Sequence, residues 1–256
     1  MSRTGRPITG PKQSNKPRVD DGTLRLNRFI ANSGFCSRRE ADTYIQGGTV
    51  TVNGKAVTEM GVRVQPTDDV RVAGQRLKPE AMSYLMLNKP QGYSTSKELN
   101  PARKTVMQLI QSSGKTTVVP VGKLDRGDMG ILLFTNDDAL HRRLTEMGNP
   151  FPKIYQVQLN KAMDIQDLYR MREGVRVDNH IIKPEEIDMV KGGKKNEVGV
   201  RMDSNRNKVV QKMFEALGYE VQRVDRTMYG HLNKKDLPRG RYRSLTEQEV
   251  INLKNM

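Results

Sequence analysis

The sequence predicts an α+β protein: a small N-terminal domain, then a larger domain with a mixed, mostly antiparallel sheet flanked by helices. Segments rich in β-branched and aromatic residues alternate irregularly with amphipathic helical segments, and no strand–helix–strand unit repeats. At 256 residues the chain is long enough for two domains that each have a hydrophobic core. A short polar segment at residues 76–83 is interpreted as the linker between them.

The charge predicts a polyanionic partner. Lys and Arg total 44 against 29 Asp and Glu, and a net charge of +15 favours nucleic acid over membrane. A single cysteine excludes an internal disulfide framework and is typical of a reducing compartment. No apolar run approaches the ~20 residues that span a bilayer, and the N-terminus lacks the apolar segment of a secretory signal. We therefore expect a soluble, cytoplasmic monomer.

Metal and cofactor sites are not expected. His141, His180 and His231 are far apart in sequence and have no Cys or His neighbours at ligand spacing. Neither of the glycine-rich motifs that bind nucleotide phosphates is present.

The N-terminal third contains clear local signals. Residues 1–22 are basic and nearly free of apolar anchors, which predicts a disordered arm. Apolar residues at helical spacing then predict a first helix with Leu26, Phe29 and Ile30 inward. Ser37-Arg38-Arg39-Glu40 predicts a capping box and a second helix to residue 46, with Ala41, Tyr44 and Ile45 inward. Asn53-Gly54 predicts a tight hairpin.

The elements of the second domain, residues 84–256, follow from apolar periodicity and capping signals. Strands are predicted at 84–88, 117–121, 131–134, 153–159, 197–202 and 219–228, with shorter strands between 175 and 190. Helices are predicted at 105–111, 138–147, 164–173, 207–217 and 246–253.

A polar loop between two of these buried strands is the candidate site. Asp125 lies there between Lys123 and Arg126, and three glycines bound the loop. Glycines allow sharp bends and close approach by another molecule, and loops held by rigid strands often carry functional side chains. Residue types alone also fit an ordinary charged turn, which is the simpler reading.

Four motifs decide between these readings, because together they resemble a known family. G-K-L-D-R-G-D-M-G-I, from Gly122, resembles the G-R-L-D-x-x-[ST]-x-G-L motif of bacterial pseudouridine synthases that modify ribosomal RNA and carry an S4-like domain. N-K-P-x-G, from Asn88, resembles the segment by which this family enters its catalytic domain. S-R-R-E-A and V-x-V-N-G-K resemble the S4 RNA-binding domain over residues 23–75. The resemblance extends over residues 23–253.

The resemblance implies a function and a site. Ribosomal RNA is the implied partner and substrate, and the reaction needs no cofactor. Asp125 occupies the position of the family's catalytic aspartate, and Tyr155, in K-I-Y, that of its active-site tyrosine. Lys123 stands where the family usually has arginine. The RNA-facing surface of the S4-like domain is implied to comprise Arg25, Asn27, Ser37, Arg38, Arg39 and Lys55.

The implied chemistry explains the residue types. The glycosidic bond from N1 to C1′ breaks, the uracil turns, and C5 rejoins C1′. The carboxylate either stabilises or attacks the oxocarbenium-like sugar, or it abstracts a sugar proton to give a glycal. Both routes need an ionised Asp125, which an adjacent cation favours. A tyrosine can stack on the extruded base.

Three positions, Lys123, Gln211 and Asp128, depart from the family pattern and keep an alternative open. Gln211 stands where the family has the cation that partners the aspartate, and Lys208 is close enough on the predicted helix to replace it. Asp128 adds a negative charge where the family prefers Ser or Thr. These changes motivate a second hypothesis, an RNA-binding ribosome-assembly factor without activity. A general S4-type translation factor is a third, disfavoured by the size of the second domain.

Overall fold

The structure, a computed structural model, describes residues 22–78, 81–96, 103–115, 117–146, 151–204 and 208–255. The chain divides into two compact units, Met1–Pro79 and Glu80–Met256. The arm predicted at residues 1–22 lies outside the described residues except for Gly22. Within the described part of the chain, no helix is both long and apolar enough to cross a membrane.

The N-terminal unit packs two helices against short strands. Its elements are β1 (Leu24–Arg25), α1 (Leu26–Asn32), α2 (Arg38–Gln46), β2 (Val50–Val52), β3 (Lys55–Ala56), β4 (Arg63–Val64), β5 (Val70–Val72) and β6 (Gln75–Arg76). Strands β3, β2, β5 and β6 form an antiparallel sheet in that order, and β1 pairs with β4. The predicted inward residues of α1, with Ala41 and Ile45 of α2, fill the core.

One core prediction in this unit is wrong. Tyr44 is 39% exposed rather than buried. Its ring meets that of Phe35 edge-on, with centroids 5.5 Å apart, at the margin of the core. Tyrosine tolerates this position because its apolar ring can pack while its hydroxyl stays hydrated.

Local hydrogen bonds set the ends of these elements as predicted. The Ser37 hydroxyl accepts from the Glu40 amide while the Glu40 carboxylate accepts from the Ser37 amide, so the capping box is confirmed. Asn53 and Gly54 have φ of 50° and 79°, which a two-residue hairpin loop of this type requires.

The second unit is built on one large sheet. Its elements are β7 (Tyr84–Lys89), α3 (Val106–Ile110), β8 (Val119–Val121), β9 (Met129–Thr135), α4 (Asp138–Thr145), β10 (Lys153–Leu159), α5 (Ile165–Glu173), β11 (Val175–Val177), β12 (His180–Ile182), β13 (Glu186–Met189), β14 (Glu197–Met202), α6 (Val209–Glu215), β15 (Val221–Tyr229), β16 (Leu232–Asn233), β17 (Tyr242–Ser244) and α7 (Glu247–Asn255). Strands β13, β14, β10, β15, β9, β7 and β17 pair in that order, with β16 added to β15 and β8 to β9. The α+β class and the mixed sheet are confirmed.

Strands β7 and β9 are buried on both faces because helices cover each side of the sheet here. Alternate residues of these strands pack with α3 on one face: Leu85, Leu87, Leu132 and Phe134. The residues between them pack with α4 and α7 on the other: Met86, Ile131 and Leu133. A second core lies where α5 and α6 cover β10 and β14.

The predicted helix at 207–217 is shorter in the structure. Asn207 lies outside the described residues, and α6 begins at Val209. Lys208 precedes the helix with φ 55°, in the left-handed region, so it does not occupy the helical turn assumed for it. The backbone turns into the helix at this residue. The Lys208 side chain therefore points in a different direction from the one that a helical backbone would give it.

The two halves of the sheet meet at a close crossing. Strands β9 and β15 pair in parallel over only two positions, Met129 with Asp225 and Gly130 with Arg226, whereas every other pairing in the sheet is antiparallel. Gly130 has φ 103°, and a Cβ there would lie 2.2 Å from the Arg226 carbonyl oxygen. Any side chain at this position would force the strands apart. The crossing therefore requires glycine.

Candidate active site

The candidate site begins with the loop between β8 and β9, whose backbone is held by one buried ammonium group. The Lys89 side chain is fully buried, at 0% exposure. Its Nζ donates to the carbonyl oxygens of Asp125 at 2.8 Å and Asp128 at 2.6 Å, and to that of Pro90 at 3.3 Å. One cation thus joins the end of β7 to both sides of the turn that carries Asp125.

The segment after Lys89 adds further contacts to the loop. The Gly92 amide donates to the Arg126 carbonyl at 2.8 Å, and the Arg126 Nε donates back to the Gly92 carbonyl at 3.0 Å. The Thr95 hydroxyl bonds the Leu124 carbonyl and accepts from the Leu124 amide. The N-K-P-x-G segment therefore has a physical role: it fixes the backbone on both sides of Asp125.

Burial changes the acidity of Lys89. Desolvation lowers the pKa of its ammonium group to about 8, against the attraction of the Asp128 and Asp125 carboxylates. The three carbonyl acceptors replace the hydration that the ammonium loses.

The Asp125 carboxylate lies beside Lys208, the residue that precedes α6. Lys208 Nζ is 3.5 Å from Asp125 Oδ2 in an ion pair. This oxygen is buried and has no hydrogen-bond donor among the described residues. The structure thus brings Lys208 and Asp125 together, which the sequence predicted, although through the left-handed residue at the start of α6 and not through helical spacing.

Gln211 occupies a different place from the one expected of it. Its Nε2 donates to Asp128 Oδ1 at 2.7 Å, so the amide pairs with the second carboxylate of the loop and not with Asp125. Asp128 Oδ2 in turn accepts from the Asp125 amide at 3.1 Å. Burial raises the pKa of the Asp128 carboxyl, and these two hydrogen bonds oppose the rise. Asp128 and Gln211 therefore form one linked pair that supports the turn.

A cavity of about 310 Å³ opens next to this loop. Its lining includes four of the predicted site residues: Lys123, Tyr155, Lys208 and Gln211. Lys123 is exposed at the cavity and Tyr155 is half-buried on β10. Asp125 is not part of the lining, but its carboxylate pairs with Lys208, which is. Four of the five catalytic candidates of the second unit thus line one concave site, and the fifth adjoins it through an ion pair.

Sequence reasoning missed two charged residues in this cavity. Lys153 and Arg226 are each 3% exposed and line its wall beside the ring of Tyr229. Arg226 lies two residues after the buried Val224 on β15, so strand alternation places it on the inward face. A charged residue at an inward strand position was the signal. Burial and the charge of Arg226 lower the pKa of Lys153 to about 8.

The predicted RNA-facing residues lie on the surface of the N-terminal unit, with two qualifications. Four of these side chains are exposed: Arg25, Arg38, Arg39 and Lys55. Ser37, the N-cap residue of α2, is exposed as well. Asn27 is half-buried and its amide donates to Asp42 Oδ1 at 2.8 Å, while the Ser37 hydroxyl belongs to the capping box. These two side chains therefore have structural partners within the unit.

Among the described residues, no group of three or more His, Cys, Asp or Glu side chains is arranged to hold a metal ion. The site offers carboxylates, cations and aromatic rings around a cavity instead.

Two family models match the chain. The model described as RNA pseudouridylate synthase matches residues 83–229, and that of the S4 domain matches residues 24–70. The chain belongs to the RNA pseudouridylate synthase family. The matched regions contain both the loop between β8 and β9 that carries Asp125 (the Asp125 loop) and the N-terminal surface described above. The resemblance drawn from the sequence is confirmed.

Relatives support the same assignment over nearly the whole chain. An uncharacterized RNA pseudouridine synthase of Aquifex aeolicus is 34% identical over 90% of this chain and 93% of its own. The dual-specificity RNA pseudouridine synthase RluF of Escherichia coli K12 is 33% identical, covering 92% and 80%. The ribosomal large subunit pseudouridine synthase B of Bacillus subtilis is 32% identical, covering 90% and 95%.

A solved structure described as a pseudouridylate synthase superposes with a TM-score of 0.63 at 27% identity, covering 90% of this chain and 99% of that one. These relatives are named as RNA pseudouridine synthases, and none of these findings favours an RNA-binding factor without activity.

Proposed function

We propose that the protein isomerises specific uridines in ribosomal RNA to pseudouridine, with Asp125 as the catalytic carboxylate. The observation that carries this proposal is the buried Asp125 oxygen with no hydrogen-bond donor, beside a cavity of about 310 Å³. Family membership supplies the reaction class, and the relative named for the ribosomal large subunit supports the choice of RNA.

The chemistry follows from the loop geometry. Cleavage of the C1′–N1 bond leaves positive character on the sugar, which Asp125 stabilises directly or relieves by taking a sugar proton. Lys208 keeps a positive charge at 3.5 Å from this carboxylate, whereas the family pattern has its cation at the position of Gln211. No net oxidation or hydrolysis occurs, so the reaction proceeds without a cofactor.

Aromatic and cationic side chains hold the substrate. Tyr155 lines the cavity and offers a ring against which an extruded uracil stacks, while Lys123 meets the RNA backbone at the exposed side. The N-terminal unit binds structured RNA through its exposed basic surface. We infer that the enzyme works as a monomer in the cytoplasm.

The proposal is tested in a strain that lacks the gene. Chemical mapping should find at least one ribosomal pseudouridine missing, restored by the parent protein but not by Asp125→Asn at the same protein level, because the amide cannot act as nucleophile or base. Retention of every ribosomal pseudouridine in the deletion strain would contradict the proposal. Restoration of the missing pseudouridine by Asp125→Asn would show that Asp125 is not the catalytic carboxylate.

Lys208 is tested by removing its charge. Lys208→Met should slow single-turnover pseudouridine formation about fivefold, since a partly exposed ion pair contributes roughly 1 kcal/mol. RNA affinity, measured by filter binding, should stay close to that of the parent.

The matched control is Lys212→Met on the same helix, because Lys212 pairs with Asp178 and not with Asp125. Equal rates for Lys208→Met and the control would remove Lys208 from the site.

The N-terminal surface is tested through salt dependence. Replacing Arg38 and Arg39 with Ala should weaken RNA binding and reduce the slope of log affinity against log salt by roughly 0.7–0.9 for each lost phosphate contact. The control is Arg76→Ala in the same unit, whose guanidinium contacts Asp69 at 2.8 Å. A slope that is the same in the double variant and the parent would exclude both arginines from the interface.

A further inference from the structure

Arg226 is a buried cation that lacks a complete set of partners within the protein. It is 3% exposed and lines the cavity beside the Asp125 loop. Its Nε donates to the Ile131 carbonyl at 2.7 Å, which fixes the guanidinium plane. Its Cζ lies 4.9 Å from the centroid of the Tyr229 ring. Its Nη2 is buried without any hydrogen-bond partner among the described residues.

The neighbouring carboxylate does not neutralise Arg226. Asp225, the preceding residue, pairs instead with Lys234 and with Arg239 at 2.8 Å. Lys153 adds a second positive charge on the same side of the cavity, 5.5 Å from the ring of Tyr229. A buried charge with an unused donor is costly unless a ligand completes its hydrogen bonds. The wall of the cavity is therefore arranged for an acceptor that carries negative charge.

We propose that Arg226 binds the uracil carbonyl and stabilises the negative charge that the base acquires when its glycosidic bond breaks. This inference rests on the proposed function, because it concerns the same cavity and the same reaction. It assigns to Arg226 a catalytic contact with the departing base, distinct from the role of Asp125 at the sugar.

The electron balance explains why a cation is needed there. When C1′–N1 breaks, both bonding electrons go to N1 and spread onto the O2 and O4 carbonyls, giving a uracil anion, while Asp125 meets the deficit at the sugar. C5 then bonds to C1′, the C5 proton leaves, and N1 takes up a proton, so no atom or electron is gained or lost. A donor fixed before the reaction stabilises the charge as it develops.

Depth favours the base over a phosphate as the acceptor. The exposed lysine at the cavity, Lys123, is suited to the RNA backbone, which remains near solvent. A phosphate at Arg226 would lose its hydration deep in the wall, whereas a base carbonyl enters with its ring against Tyr155, which lines the same cavity. Arg226 is thus suited to the one part of the nucleotide that leaves the RNA stack.

The test compares two RNAs of identical sequence, with uridine or 5-fluorouridine at the mapped target. Fluorine withdraws electrons and makes the uracil anion more stable, so that anion needs Arg226 less. Arg226→Gln should slow single-turnover loss of the target nucleoside about 10²–10³-fold on the uridine RNA, the cost of one lost transition-state donor. On the 5-fluorouridine RNA the loss should be at least about tenfold smaller.

The matched control is Arg223→Gln, an exposed arginine three residues earlier on the same strand, which should behave as the parent on both RNAs. Equal fold-losses in rate on the two RNAs would overturn the inference. The effect of replacing a merely structural arginine would not depend on how stable the departing base is. A fall in RNA affinity that accounts for the whole rate loss would assign Arg226 to a phosphate, which also overturns it.

A folding defect does not remove the test. If Arg226→Gln fails to fold, Arg226→Lys keeps the buried charge without the planar fork, and the same two-RNA comparison applies with the same expected order.

Failure of the proposed function is separate: a parent protein inactive on both RNAs refutes it, whereas an active parent with equal losses for the variant refutes only the role of Arg226.

Discussion

The close crossing of β9 and β15 at Gly130 determines where everything in the site lies. The Asp125 loop runs directly into β9, while β15 carries Arg226, and the two strands pair at that very point. A Cβ at Gly130 would overlap the Arg226 backbone, so the separation between the loop and the cavity wall depends on a residue without a side chain. The rest of the sheet is antiparallel, and this single parallel contact joins its two halves.

Charge in the site is distributed differently from the family pattern that the sequence resembles. Neutral Gln211 holds Asp128, and the cation near Asp125 comes from Lys208 at the start of α6. Lys89 adds a buried positive charge from beneath the loop, where it bonds main-chain carbonyls and not carboxylates. Asp125 and Asp128 therefore have separate side-chain partners and do not compete for one group.

Much of this architecture was predictable, because apolar periodicity and capping chemistry are local. The strands, the capping box at Ser37 and the α+β class followed from such patterns. The direction of Lys208 did not, since it depends on a left-handed backbone residue that no periodicity reveals. Tyr44 was misjudged because position on a helical stripe does not show where the core ends. Arg226 was missed because its burial depends on a long-range strand crossing.

If Asp125 and Arg226 act as proposed, the target uracil leaves the RNA stack and enters this cavity with its sugar at Asp125. The most direct measurement is an experimental structure of Asp125→Asn bound to ribosomal RNA that contains the unmodified target. We expect a flipped uridine with its C1′ next to residue 125 and a uracil carbonyl at the Arg226 guanidinium. A target base that stays stacked in the RNA, with no nucleotide in the cavity, would contradict it.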